Sequence, residues 1–202
     1  MVTRPAVAAE SARIGPNAII QTLAALRERI GASATGELLH AAGLGEYGVA
    51  VPSTMVPEAD VSELYRVVRL RLDGIDADLV ARLAGYKTAD YVLANRIPRP
   101  AQTLLRLLPP RLVAPILLAS ITKHTWTFAG SGAVRVRGGR PPRIAIEGCP
   151  VCRGSRAQAP ACSYYAASFE GLFRALVTAR ARAVEVDCEA RGAPSCTFEI
   201  RW

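Results

Sequence analysis

The feature that most constrains this chain is a change in the spacing of its apolar residues near Lys123. Upstream they recur every three or four positions, as on one face of a helix; downstream they alternate, as on one face of a strand. Ile19, Leu23, Leu26 and Ile30 set the first period, over a helix running from Ile14 to Ile30 that Gly31 ends. Thr35 to Ala42 reads as a shorter helix closed by Gly43 and Gly45. Asp60 and Glu63 have the spacing of a capping box ahead of Val61, Leu64, Val68 and Leu72. A further helix starts at Asp76 or Asp78, runs to about Asn95 with Gly85 as a kink, and is stopped by Pro98 and Pro100. Ala101 to Lys123, interrupted by Pro109, Pro110 and Pro115, reads as two short helices meeting at a bend.

Beyond Lys123, strands are expected at Thr125–Phe128, Val134–Arg137 and Ile144–Glu147, separated by glycines. A loop over residues 148–163 and a helix from Tyr165 to about Ala181 precede two last strands, Ala183–Cys188 and Cys196–Trp202. Helices first and a mostly antiparallel sheet afterwards define an α+β fold. At 202 residues the chain suits one core: residues 1–12 are expected to be a flexible tail and 13–202 a single domain.

Half of the residues are hydrophobic, yet no run of 18 lacks a charge or a proline, so no transmembrane helix is expected. The opening MVTRPAVAAESARIG has no secretory pattern, which makes the cytoplasm the expected compartment. The net charge of +8 is concentrated: nine basic residues and no acid lie between Tyr91 and Ile146. This stretch reads as a solvated basic face or, with the apolar Leu104–Ile121 segment, as a peripheral contact with an anionic membrane. Nucleic acid is not expected, because no aromatic residues interleave with the charges and no helix-turn-helix pattern is present.

Five cysteines crowd between Cys149 and Cys196, an odd number that favours metal or thiol chemistry over disulfides. Cys162, Glu185, Cys188 and Cys196 form one candidate tetrahedral set. Glu185 and Cys188 are three apart, so the strand carrying them must end or bulge for both to face one ion. The Cys149-Pro-Val-Cys152 motif, with Cys162 and either Cys188 or Cys196, forms a rival four-thiolate set. Spacing alone leaves both open, beside a third reading in which the thiols are merely buried.

ARIGPNAIIQ, AGYKTADYVLANRIP, KHTWTFAGSG and the closing C-x22-E-x2-C-x7-C resemble the bacteriochlorophyll-biosynthesis branch of the 4-vinyl reductase domain family, from about Arg13 to Trp202. The closing pattern is shared with the sensor domains of phenol-responsive transcription activators, and the family fold is similar to that of small trafficking-complex subunits. The resemblance implies a structural zinc on Cys162, Glu185, Cys188 and Cys196, clamping the C-terminal hairpin and leaving Cys149 and Cys152 outside. It also implies work on a chlorophyll precursor whose 8-vinyl group (4-vinyl in older numbering) is reduced. The chain has no GxGxxG after a strand and no phosphate loop. A carrier or accessory protein binding a magnesium tetrapyrrole, such as divinyl protochlorophyllide or chlorophyllide, is therefore expected ahead of the reductase itself. For such a pigment, His124 would be the axial ligand, Trp126 the stacking partner, Tyr86 and Tyr91 the walls, and Arg96 or Lys123 the cation for its carboxylate. His40 is the alternative axial ligand. Enzymes of bacteriochlorophyll synthesis, a membrane surface and a second copy of the chain are the remaining expected partners.

Overall fold

A computed structural model describes residues 12–202. The tail expected over residues 1–12 lies outside the described residues except for Ala12, whose carbonyl accepts a hydrogen bond from the Glu58 amide. Two short antiparallel strands, β1 (Arg13–Ile14) and β2 (Val56–Pro57), pin the start of the described chain beside the third helix. Between them run α1 (Asn17–Ala41) and the one-turn α2 (Glu46–Val49). α1 is broken at Gly31, whose φ of 81° and ψ of 168° belong to no helix. Its two halves correspond to the two helices that the spacing predicts.

α3 (Glu58–Arg71), α4 (Gly74–Asn95), α5 (Arg99–Leu107) and α6 (Pro110–Lys123) follow. The caps differ from expectation. Asp60 lies inside α3 and accepts the Tyr47 hydroxyl at 2.5 Å, while Asp73 caps α4 by accepting the Asp76 amide at 2.7 Å. Pro100 and Pro110 occupy first turns, where a missing N–H costs nothing.

The strand expected at Thr125–Phe128 is instead a single 3₁₀ turn over Thr125–Thr127. Four alternating residues are too few to separate the two periods, and local bonds decide: the Thr127 hydroxyl donates to the His124 carbonyl at 2.7 Å. The real sheet is antiparallel in the order β3 (Ala133–Arg137), β4 (Arg143–Glu147), β6 (Cys196–Arg201), β5 (Arg182–Asp187). α7 (Ser163–Leu176) crosses its inner face, with Phe169 and Phe198 at 5.5 Å between ring centroids.

The other side of α7 packs against α4. There the helices approach so closely that a Cβ on Gly85 would collide with the Tyr164 carbonyl and lie 2.7 Å from the Ala167 Cβ; one on Gly171 would lie 2.6 Å from the Ala89 Cβ. Gly85 is therefore a contact point rather than the kink expected from its place in the helix. Among the described residues no helix is long and apolar enough to cross a membrane.

Candidate metal centre and ligand cavity

The C-terminal half folds all five cysteines into one buried cluster. Cys149 and Cys152 come from the turn after β4, Cys162 immediately precedes α7, Cys188 follows β5, and Cys196 opens β6. The Cys149 and Cys162 sulfurs are 3.5 Å apart, Cys162 and Cys196 3.5 Å, and Cys152 and Cys196 3.4 Å. The β5–β6 register shifts between Glu185 and Asp187, the bulge that brings Cys188 to the side of Glu185. Two four-residue groups result, each with its ligand atoms within 4.8 Å of one another: Cys149, Cys152, Cys162 and Cys196; and Cys162, Glu185, Cys188 and Cys196. Both sets left open by spacing are thus assembled, and Cys149 and Cys152 lie inside the cluster that the resemblance placed them outside.

Glu185 is the electrostatic anomaly of the site. One carboxylate oxygen accepts the Cys162 amide at 2.8 Å, while Oε1 is buried without a hydrogen-bond partner among the described residues. Burial pushes its pKa up to about 8, and burial likewise raises the Cys149 thiol. A buried acid with an orphaned oxygen, packed among thiols, is a donor set that a divalent cation would satisfy. Soft thiolates with one carboxylate suit zinc.

The Cys149–Cys152 turn is held by groups with no local signal in the sequence. Glu189 accepts the amides of Gly148 and Cys149 at 2.6 and 2.8 Å. Ser62 donates to the Pro150 carbonyl at 2.7 Å and Arg69 to the Val151 carbonyl at 2.9 Å. Arg153 pairs with Glu58, a carboxylate with no exposed surface that also accepts the Ser131 amide and hydroxyl at 2.7 and 2.6 Å. Burial raises the Glu58 pKa, but the bonds from Ser131 and Arg153 outweigh it and leave it below the usual carboxylate value.

A cavity of about 1060 Å³ opens between α6 and the ends of β3 and β6. Its walls include Pro109, Ala114, Pro115, Leu118, Val136 and Trp202, with Arg111, Arg140 and Arg201 beside them. Arg201 pairs with Glu199 at 2.6 Å; among the described residues Arg111 and Arg140 form no ion pair.

None of the six residues expected to hold a pigment lines this cavity. The His124 ring is exposed and bonds the Ser120 carbonyl of its own helix at 2.8 Å. Trp126 is 59% exposed. Tyr86 donates to the buried Glu170 at 2.6 Å. Tyr91 is half-buried on α4, and Arg96 and Lys123 are exposed at helix ends. His40 is exposed in the last turn of α1. Lys123 and His124 do follow Thr122, which is part of the cavity wall.

Residues 142–202, from β4 to the end of the chain, match the model of the V4R domain. A crystal structure of an Fe(II) unliganded H-NOX protein mutant from K. algicida is similar over 93% of this chain and 96% of that one, with a TM-score of 0.59 and 11% identity. A second H-NOX-family structure gives a TM-score of 0.58 at 13% identity, over 94% and 95% of the two chains. These likenesses concern the α+β fold. In sequence, the chain is 45% identical to the bacteriochlorophyll synthase 23 kDa chain of Cereibacter sphaeroides, over 93% of this chain and 90% of the relative. It is 39% identical to the protein of that name from Rhodobacter capsulatus, over 97% and 90%. Identity at this level over nearly the whole length places the chain in the V4R-domain family, in the branch of the bacteriochlorophyll synthase 23 kDa chains.

Proposed function

We propose that the protein acts in bacteriochlorophyll biosynthesis as a carrier or accessory protein that binds a magnesium tetrapyrrole of the protochlorophyllide or chlorophyllide type. The names of its relatives support the pathway, and the α6 cavity carries the binding reading. A chlorophyll precursor is a broad apolar plate with a carboxylate. The cavity offers apolar walls from Ala114, Pro115, Leu118 and Val136, two guanidinium groups without a carboxylate partner among the described residues, and a volume just above the about 300–1,000 Å³ of small-molecule sites. Arg111 and Arg140 would bind the carboxylate and the apolar walls would exclude water from the ring faces. The Cys/Glu cluster, remote in kind from this apolar site, would hold structural zinc that ties the C-terminal strands to α7.

The test is a titration of the purified protein with divinyl protochlorophyllide, followed by the pigment's visible bands. Arg111→Glu combined with Arg140→Glu, and separately Ala119→Trp at the cavity wall, should each weaken binding at least about tenfold, or about 1.4 kcal/mol. His124→Ala should leave it unchanged. Loss of affinity in His124→Ala with none in the cavity variants would move the site to the C-terminal end of α6. Monovinyl product formed by this protein alone with a reduced nicotinamide would replace the carrier reading with the reductase.

A further inference from the structure

We propose that the cysteine cluster is a binuclear metal site in which Cys162 and Cys196 bridge two divalent ions of the zinc class. One ion takes Cys149 and Cys152 as its own ligands; the other takes Glu185 and Cys188. The two four-ligand groups of the cluster overlap in two residues, Cys162 and Cys196, and in no others. Six donors thereby provide two complete four-coordinate shells, provided that the shared pair bridges.

A single ion leaves the cluster incomplete either way. Placed among Cys149, Cys152, Cys162 and Cys196, it leaves the Glu185 Oε1 atom buried and unpartnered and Cys188 idle beside it. Placed among Cys162, Glu185, Cys188 and Cys196, it leaves Cys149 and Cys152 as spare thiols, 3.5 and 3.4 Å from two of its ligand sulfurs. Two sulfurs on one zinc at about 2.3 Å, at the tetrahedral angle, are about 3.8 Å apart. The 3.4–3.5 Å separations show that Cys149 and Cys152 already lie as close to Cys162 and Cys196 as the thiolates of one zinc shell, so the pair shared with Glu185 and Cys188 is within reach of both ions.

Charge allows the second ion. Six anionic donors around two divalent ions leave two negative charges, the same residue as four donors around one, and backbone donors such as the Glu189 amide at the Cys196 sulfur can screen it. The Cys149–Cys152 turn is also built like a ligand mount: Glu189, Ser62 and Arg69 occupy its amides and carbonyls, so both thiols are fixed toward the cluster. This inference is independent of the pigment reading.

Metal analysis of the purified full-length protein tests it. Two zinc ions per chain are expected; one per chain, or iron with acid-labile sulfide, overturns it. Cys149→Ser combined with Cys152→Ser should fold and retain one ion, whereas a lone ion on Cys162, Glu185, Cys188 and Cys196 predicts no change in content. Should that variant fail to fold, the wild-type chain reconstituted with cobalt(II) decides. Its thiolate-to-cobalt absorption should saturate at two equivalents, and the paramagnetic signal present at one equivalent should fall as the second is added, because shared thiolates couple the two spins. Saturation at one equivalent, or two uncoupled ions, refutes the bridge.

Discussion

Glu58 shows how much one residue can organise at a distance. It lies at the N-terminus of α3, has no exposed surface, and joins Ser131 ahead of β3 to Arg153 beside the Cys149–Cys152 turn. Its folded pKa is depressed below the ordinary 4.5. The associated stability is therefore complete above pH 4.5 and is lost as the pH falls through the lower folded value. Glu58→Gln should cost about 3 kcal/mol, because it strands the Arg153 guanidinium against a partner without charge. Denaturant melts at pH 7 measure that cost, and the difference from wild type should shrink on acidification below pH 4. Neither Glu58 nor Arg153 could be singled out from the sequence, since the partners are 95 positions apart and each reads locally as an ordinary surface charge.

At the scale of elements, the α4–α7 crossing depends on small residues that periodicity treats as neutral. Alanine is the better helix former by about 1 kcal/mol, yet at Gly85 its Cβ would strike the Tyr164 backbone, and overpacking costs about 1–3 kcal/mol. Gly85→Ala should therefore lower stability, whereas Gly36→Ala, where nothing lies within 4 Å, should raise it slightly. Thermal melts of the two variants should move in opposite directions. α5 and α6 expose Leu104, Leu107, Leu112 and Ile116, each at least half exposed, beside Arg99, Arg106 and Arg111. Such a face should sediment the protein with vesicles rich in phosphatidylglycerol and not with neutral ones, and Leu107→Asp with Leu112→Asp should reduce the bound fraction several-fold.

For the whole molecule, the cysteine–glutamate cluster gathers three separate stretches: the turn after β4, the start of α7, and the facing ends of β5 and β6. Removing metal with a strong chelator at neutral pH should lower the melting temperature by at least about 10 °C, each kcal/mol being about 2–4 °C for a chain of this size. An unchanged melt would deny the cluster a structural role. The change of period near Lys123 and the glycines and prolines between segments were enough for the α+β class and most element positions, because these are local patterns repeated along the chain, while ARIGPNAIIQ, AGYKTADYVLANRIP and KHTWTFAGSG, with the C-x22-E-x2-C-x7-C spacing, carried the family. The same locality misled at Thr125–Thr127, where alternation too short to mean a strand yielded to side-chain and backbone bonds within a turn. That all five thiols and Glu185 meet in one cluster, and that an apolar cavity opens along α6, were decided only by tertiary packing. Distances between segments tens of residues apart follow from how α7 lies on the sheet and how closely α4 lies on α7, and no local spacing encodes them.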